Sequence, residues 1–372
     1  MDTLQKLEIL SNASRYDLAC ACGTKNGDHR KRGQDGSWLY PVALPGGGYS
    51  VLLKTLISNV CSNDCKYCPF RSAVDVPRCT IDPQDMADMF IDYVKAKKAF
   101  GLFLSSGVLG APDHSMRILN DTAAILRKKH RYRGYIHLKV IPGASDAAIE
   151  ESLSLASAVS LNIETPGDRH CSRLSSKKNF TTDIIRPLKL ISALTRKGMK
   201  YEGVKTTTQF IVGASDETDR EIVTYTSGLY ERLKMHRVYF SAYQRGYGDP
   251  GLPGERTVPA DGYASFVREH RIYQADFLLR KYGFTLGDFI FDESGRFSLE
   301  KDPKQVWVDS HPGFFPVMIG SATKDSLLRV PGIGPITARI IVRMRKEGKI
   351  GSWEQVGLTG KRLSQARQYA VL

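Results

Sequence analysis

The sequence predicts an α/β fold, namely a partial (β/α)6 TIM-type barrel followed by an α-helical domain. Three observations carry this prediction: six short apolar runs alternate with helical patterns, three cysteines follow the first run, and a tight hairpin between two helical patterns lies near the end. Strands that alternate with helices are joined by crossovers and form a parallel sheet. Periodicity alone leaves an open, doubly wound sheet as the alternative.

Glycine- and proline-rich breaks divide the chain into four predicted segments. Residues 1–50 form an N-terminal extension with one short helix, and residues 51–248 form the partial barrel. Residues 249–317 form a connecting helical region, and residues 318–372 form the C-terminal helical domain. The six predicted strands are VLLKTLIS (51–58), GLFLSS (101–106), YIHLKVI (135–141), AVSLNIE (158–164), TTTQFIVG (206–213) and RVYFSAY (237–243).

The composition is that of a folded protein. The 372 residues are 42% hydrophobic and 25% charged, which excludes disordered and collagen-like classes. No apolar run approaches the roughly 18 to 20 residues that a membrane helix needs. The first residues contain acids and lack the apolar core of a secretory signal. We therefore expect a cytoplasmic location and no membrane partner.

The net charge of +14 is unevenly distributed along the chain. Residues 318–372 contain ten basic and three acidic residues, so half of the excess lies in this terminal segment. Positive charge concentrated in one segment indicates a polyanionic partner, most often a nucleic acid.

Three of the seven cysteines, Cys61, Cys65 and Cys68, lie within eight residues. Their C-x3-C-x2-C spacing, directly after a strand, is typical of iron–sulfur ligands. A structural zinc site would need a second ligand pair, which nothing near Cys61 supplies. A cubane held by three thiolates has one iron without a protein ligand, where a small molecule can bind. The alternatives are chance clustering and a distant fourth ligand, Cys79 or Cys171.

The hairpin VPGIG at residues 330–334 is the second motif. Gly332 and Gly334 allow positive φ angles and a close approach to a ligand. The following helix begins with free N–H groups, and Thr337 lies in its first turn, an arrangement that suits a phosphate. The cations that follow are Arg339, Arg343, Arg345, Lys346 and Lys349.

This hairpin resembles the helix-hairpin-helix of DNA glycosylases, ligases and nucleases. The resemblance implies binding to the DNA backbone without sequence readout, and therefore an affinity that depends on salt. A structural or protein-binding hairpin is the alternative.

The cysteine motif CSNDCKYCPF, with Tyr67 before the third cysteine, resembles the signature of the radical S-adenosylmethionine (radical SAM) superfamily. The resemblance implies a [4Fe–4S] cluster whose open iron binds the amino and carboxylate groups of SAM. It also implies reductive cleavage of SAM to methionine and a 5′-deoxyadenosyl radical, with an electron donor such as flavodoxin or ferredoxin. Tyr67 would then lie against the adenine.

The same resemblance assigns further SAM contacts to residues at strand ends. In chain order these are Ser105, Ser106, Gly107, Lys139, Asn162, Glu164, Gln209, Ile211 and Gly213. The first three take the place that holds the methionine amino group, although the family's Gly-Gly-Glu is absent. Lys139 would meet the carboxylate, Asn162 and Glu164 the ribose, and the last three the adenine, with Gln209 in place of a glycine. For Lys139 and Gln209 the alternative is a surface polar side chain that has hydrogen-bond partners and no role in binding SAM.

Across most of residues 15–350 the chain resembles one family, the DNA modification and repair radical SAM proteins with a C-terminal helix-hairpin-helix. The stretches that carry this resemblance include YDLAC, GYIHLKVIPGAS, REHRIYQADFLLRKYGF, DPKQVW and LLRVPGIG. It implies DNA as the substrate and a uracil-DNA-glycosylase-like partner protein.

Candidate catalytic residues are Cys20, Tyr239 and Tyr243. For Cys20 the alternatives are a cluster ligand and a buried free thiol, and for the two tyrosines the alternative is filling of the barrel interior. The competing functions are a tRNA-modifying radical SAM enzyme and a non-catalytic iron–sulfur protein that binds nucleic acid.

Overall fold

The computed structural model describes residues 1–14, 38–43, 47–258, 262–348 and 350–372. The chain divides into two compact units: the first contains Met1–Glu217 and Gly228–Phe266, and the second contains Thr218–Ser227 and Val267–Leu372. This division differs from the four predicted segments, because the predicted connecting region is split at residue 266 and a short piece of the predicted barrel joins the second unit.

Seven described strands of the first unit form one sheet, in which they are arranged in sequence order. Six of them are parallel and correspond to the six predicted runs, while the first strand pairs antiparallel with the second. The strands are β1 Leu39–Ala43, β2 Tyr49–Leu56, β3 Gly101–Ser105, β4 Tyr135–Lys139, β5 Ala158–Ser160, β6 Lys205–Val212 and β7 Arg237–Ala242. The sequence analysis missed β1, which contains Pro41 and lies at the sheet edge, where proline is tolerated.

The sheet curls into a half-barrel. Residues at the carboxyl ends of all six parallel strands line one cavity, including Leu56 of β2 and Ser241 of β7. In a flat sheet these two strands would lie about 24 Å apart, which is five strand spacings. They share a cavity because the sheet curves, so the prediction of a partial barrel is confirmed.

Helices connect the consecutive parallel strands, as parallel crossovers require. The helices before β7 are α1 Thr3–Ser14, α2 Pro83–Lys95, α3 Pro112–Lys128, α4 Asp146–Leu155, α5 Asp168–Leu174, α6 Arg186–Thr195, which continues a π-helix at Phe180–Ile185, and α7 Asp219–Glu231. Side-chain caps mark two of these starts: Asp82 accepts from the Gln84 N–H before α2, and Ser145 accepts from the Ala148 N–H before α4.

The remaining helices are α8 Pro253–Thr257, α9 Tyr263–Lys281, α10 Pro303–Ser310, α11 Lys324–Arg329, α12 Pro335–Glu347 and α13 Gly360–Arg367. In the second unit β8, Val317–Met318, pairs in parallel with β9, Ala370–Val371. Residues 330–334 connect α11 to α12, and buried Val330 and Ile333 anchor this turn in the apolar core. No helix within the described ranges has the length and apolar character needed to cross a membrane.

Candidate active site

One cavity lies at the carboxyl ends of the parallel strands, where barrels of this type place their sites. The fold brings together residues that are far apart in the sequence. Of the predicted site residues, the cavity is lined by Cys61, Cys65, Tyr67, Cys68, Ser105, Ser106, Gly107, Lys139, Asn162, Glu164, Gln209, Ile211 and Tyr243.

Two arginines shape the cluster loop, residues 59–78, which carries the three cysteines. The Arg78 guanidinium donates to four main-chain carbonyl oxygens of the loop at 2.6–3.0 Å. Arg71 donates to the carbonyl oxygens of Cys68 and Tyr247, both at 3.1 Å. These side chains satisfy the carbonyl groups of an irregular loop, which would otherwise lack partners.

The end of β3 lies directly against the cluster loop. The Val108 N–H donates to the Cys61 Sγ at 3.4 Å, and the Phe70 N–H donates to the Cys68 Sγ at 3.4 Å. A Cβ at Gly107 would lie 2.4 Å from a carbonyl oxygen of the loop, so this approach requires glycine. N–H···S bonds of this kind orient thiolate ligands and tune the potential of a cluster.

The three thiols fit a metal cluster. Burial raises the pKa of Cys65, and burial with the neighbouring thiolate charges raises the pKa of Cys68 to about 12. Thiols that oppose each other's ionisation need the positive charge of a metal to become thiolates together. Among the described residues, no three His, Cys, Asp or Glu side chains converge on a single metal ion. Cluster thiolates bind separate irons, so this spacing fits a cluster better than zinc.

Ser106 indicates that the cavity also fits SAM. Its hydroxyl is buried beside the cavity and has no hydrogen-bond partner within the described part of the chain. A buried hydroxyl without a partner costs about 1–3 kcal/mol, so a ligand that bonds to it is favoured. The amino group of SAM, predicted for this position, is such a ligand.

Tyr67, Glu164 and Lys178 form a polar group on the cavity wall. The Tyr67 hydroxyl donates to the Glu164 Oε1 at 2.8 Å, and the Lys178 Nζ lies 3.3 Å from that hydroxyl and 3.7 Å from the same Oε1. Asn162 reaches the other carboxylate oxygen at 3.4 Å. Glu164 adopts a φ of +65°, a conformation that non-glycine residues rarely adopt and that is typical of functional sites.

Lys178 is a candidate that the sequence analysis missed. The Asp64 carboxylate, between the first two cysteines, accepts hydrogen bonds from Ser175 and Ser176, which attach the segment before Lys178 to the cluster loop. Although burial opposes it, these bonds hold the pKa of Asp64 well below its ordinary value. The segment thereby places the Lys178 ammonium beside the Cys65 thiol, inside the cavity.

We expect the Lys178→Met variant to lower the reduction potential of the reconstituted cluster, because a positive charge beside Cys65 favours the reduced, more negative cluster. The expected shift is on the order of tens of millivolts. A redox titration followed by electron paramagnetic resonance (EPR) measures it. Lys178→Arg should stay close to wild type, and Lys189→Met, at an exposed lysine of α6, is the matched control. An unchanged potential in Lys178→Met would contradict this role.

Two predicted residues, Gly213 and Tyr239, lie off the cavity wall, whereas Tyr243 lines it. The Gly213 N–H donates to the buried Glu217 carboxylate at 2.5 Å, in the turn after β6 and off the cavity wall. Tyr239 also lies off the cavity wall, with the Arg237 guanidinium 5.7 Å from its ring centre. Tyr243 lines the cavity, and its hydroxyl donates to Glu255.

Two other cysteines, Cys79 and Cys171, are described by the structure. Cys171 is buried in α5, and Cys79 is buried beside a main-chain carbonyl of α1. Neither lines the cavity with the three motif cysteines. Cys20, the candidate catalytic cysteine, lies outside the described residues.

In the second unit, the predicted nucleic-acid residues divide into two groups. Gly332, Thr337 and Arg345 contact their own chain. A Cβ at Gly332 would lie 2.3 Å from the Arg362 carbonyl oxygen, and the Thr337 hydroxyl accepts from the Arg362 guanidinium at 2.8 Å. Arg345 donates to the carbonyl oxygen of Ala322. These contacts stabilise the hairpin and its surroundings, and nucleic-acid contacts of the same three residues stay a prediction.

The second group is exposed. Arg339, Arg343 and Lys346 are exposed at helical spacing along one side of α12. Gly334 caps the same helix without a side-chain hydrogen bond to its first turn. Lys349 lies outside the described residues. Residues 334–346 contain these exposed cations and the start of α12, and we call them the basic face.

One protein-family model matches part of this chain. Residues 55–226 match the family model described as the Radical SAM superfamily. No curated protein matches the chain.

Solved structures similar to this chain include HydG, a maturase of the [FeFe]-hydrogenase, at 13% identity and a TM-score of 0.45, over 60% of this chain and 50% of that one. Methylornithine synthase (PylB) is similar at 12% identity and a TM-score of 0.44, over 60% and 63% of the two chains. SuiB from Streptococcus suis, solved with S-adenosylmethionine, is similar at 13% identity and a TM-score of 0.43, over 54% and 43%. The alignments thus cover about half to two-thirds of these structures.

Proposed function

Because residues 55–226 form a radical SAM domain, whose cofactors are a [4Fe–4S] cluster and SAM, we propose that this enzyme modifies or repairs DNA. The observation that carries the DNA proposal is the basic face of α12, which belongs to the same chain as the cluster cysteines. Exposed cations beside an uncapped helix start suit the phosphates of a nucleic-acid backbone.

The residues of the cavity have separate tasks. When bound, the cluster supplies the electron for reductive cleavage of SAM, which starts radical chemistry on the substrate. Cys61, Cys65 and Cys68 hold the cluster. In the bound state the Ser106 hydroxyl would accept a hydrogen bond from the SAM amino group, and the Glu164 carboxylate would accept from the ribose hydroxyls.

The loop after β7 helps to exclude water from this chemistry. The Glu255 carboxylate accepts hydrogen bonds from the Tyr243 hydroxyl and from the N–H groups of Gly246 and Gly248. Arg71 binds carbonyl oxygens of the same loop and so ties it to the cluster loop. A reactive intermediate needs such a closed wall, because water or side reactions would otherwise consume it.

A duplex substrate must expose its target nucleotide to reach a site of this kind, since chemistry on a stacked base is blocked. Contacts to phosphate position the duplex without selecting its sequence. The selection of the target then depends on the nucleotide that enters the cavity. A flavodoxin or ferredoxin as the electron donor, and a uracil-DNA-glycosylase-like partner, belong to the same proposal.

The test is anaerobic reconstitution with reductant, SAM and duplex DNA, followed by mass spectrometry of the SAM products and of the digested nucleosides. We expect 5′-deoxyadenosine, and a new or missing nucleoside in the DNA. Intact SAM with and without DNA would contradict catalysis and favour the non-catalytic alternative. Competition of duplex DNA with tRNA for the full chain distinguishes the two nucleic acids, and tighter binding of tRNA would overturn the DNA proposal.

A further inference from the structure

Cationic side chains from two other helices donate hydrogen bonds to the main chain of the hairpin at residues 330–334. Lys304 of α10 is half-buried, and its ammonium donates to the carbonyl oxygens of Val330 at 2.7 Å and Ile333 at 3.1 Å. Arg362 of α13 donates to the Gly332 carbonyl oxygen at 3.1 Å. The main-chain carbonyl oxygens of Val330, Gly332 and Ile333 therefore all accept hydrogen bonds from cationic side chains.

These contacts fix the direction of the hairpin's donors. The two ends of a planar trans peptide unit point in opposite directions. Because the Ile333 carbonyl points to Lys304, the N–H of Gly334 points away from it. That N–H lies at the start of α12, whose first turn has no side-chain cap. By binding the Ile333 carbonyl oxygen, Lys304 thus leaves the Gly334 N–H pointing away from itself at the start of the basic face.

We propose that Lys304 is a positioning residue for DNA phosphate: it orients the Gly334 N–H at the start of α12 and supplies positive charge behind this peptide unit. This inference rests on the proposed DNA binding. Lys304 does not need to touch the phosphate, because a charge in a partly buried position is weakly screened and acts through the hairpin.

The surroundings of Lys304 make this charge sensitive to pH. Burial lowers the pKa of Lys304 to about 7, the Asp302 carboxylate before α10 raises it, and Arg329 of α11 lowers it further. The Tyr282 ring also faces the ammonium, which lies 4.8 Å from the ring centre. Below pH 7 the lysine is charged, and above pH 7 it becomes neutral. A bound phosphate favours the charged form, so DNA affinity should fall as the pH rises through neutrality.

The test measures binding of the full chain to a labelled duplex by fluorescence anisotropy, at about pH 6 and about pH 8. The wild type should bind several-fold more tightly at the lower pH. Lys304→Met should weaken binding at the lower pH on the order of tenfold and remove most of the pH dependence. Lys304→Arg keeps the charge at both pH values, so its binding should be tight and nearly independent of pH.

Lys304→Gln separates charge from packing, because its amide can donate to the carbonyl groups but carries no charge. We expect it to bind as weakly as Lys304→Met; binding as tight as wild type would show a purely structural lysine and overturn the proposal. Lys301→Met, at an exposed lysine paired with Asp309, is the matched control and should keep the wild-type pH profile.

The failure of this inference differs from failure of the proposed function. A wild type that binds DNA with a flat pH profile, or with affinity unchanged in all three Lys304 variants, overturns the inference and leaves DNA binding intact. A wild type that does not bind DNA overturns the proposed function. A flat wild-type profile overturns the inference even if a variant fails to fold, which circular dichroism would reveal.

Discussion

Replacing any one of Cys61, Cys65 and Cys68 with alanine is expected to abolish the iron–sulfur cluster and, with it, SAM cleavage. Each thiolate holds a separate iron, so a site with one ligand fewer loses the cubane rather than a fraction of it. Iron and sulfide should fall from about four atoms of each per chain to near zero. Anaerobic purification with iron, sulfide and visible absorption measurements checks this result.

The matched control for this prediction is the double variant Cys79→Ala, Cys171→Ala. Both thiols are buried but lie off the cavity lining, so the variant should keep its full iron content. A second control, Cys20→Ala with Cys22→Ala, extends the test to the cysteines outside the described residues. If either control loses its cluster as the motif variants do, a fourth protein ligand holds the iron expected to bind SAM.

The second large effect is expected from the triple variant Arg339→Gln, Arg343→Gln, Lys346→Gln. Each lost phosphate contact releases fewer counterions, so the slope of log affinity against log salt should become shallower by about 0.9 per contact. For three contacts the slope should change by roughly 2.7, and binding near physiological salt should weaken by orders of magnitude. Titration of a labelled duplex at several salt concentrations measures both values.

A matched loss of charge tests whether this effect belongs to the basic face. Lys95, Lys97 and Lys98 are exposed at the end of α2 and just after it. Their triple glutamine variant removes the same net charge from the first unit. It should keep the wild-type salt slope, and an equal loss of affinity in both triple variants would contradict a binding site on α12.

The barrel and most of its cavity follow from local sequence patterns. Ser105, Lys139 and Gln209 end or nearly end apolar strands, and parallel strands bring their carboxyl ends to one edge. That rule suffices to gather the lining without knowledge of any side-chain contact. It fails at Gly213, one residue beyond β6, because the buried Glu217 carboxylate uses its N–H within the turn.

Residues whose position depends on tertiary contacts were not predictable. Lys178 lies in the polar stretch SSKKN, where nothing distinguishes it from Lys177. Hydrogen bonds between Asp64 and two serines place one lysine in the cavity and leave the other exposed. In the same way, Lys304 lies 26 residues before Val330, and the sequence gives no sign that its ammonium binds carbonyl groups of the hairpin.

At the hairpin the local pattern was predictable, but the contacts of single residues with their own chain were not. VPGIG does connect two helices, and Gly332 has a φ of +81°. The glycine allows a close approach to the main chain of α13. Periodicity cannot show which side of a short helix is covered when the covering element, α13, lies about 25 residues later in the sequence.

The central claim is that three cysteines hold a [4Fe–4S] cluster whose remaining iron is open to SAM. EPR spectroscopy of the anaerobically reduced protein, recorded with and without SAM, tests it most directly. We predict the signal of a reduced [4Fe–4S] cluster, with g values that change when SAM is added because SAM becomes a ligand of the open iron. A spectrum that is identical with and without SAM, or purified protein that contains zinc in place of iron, would contradict the account.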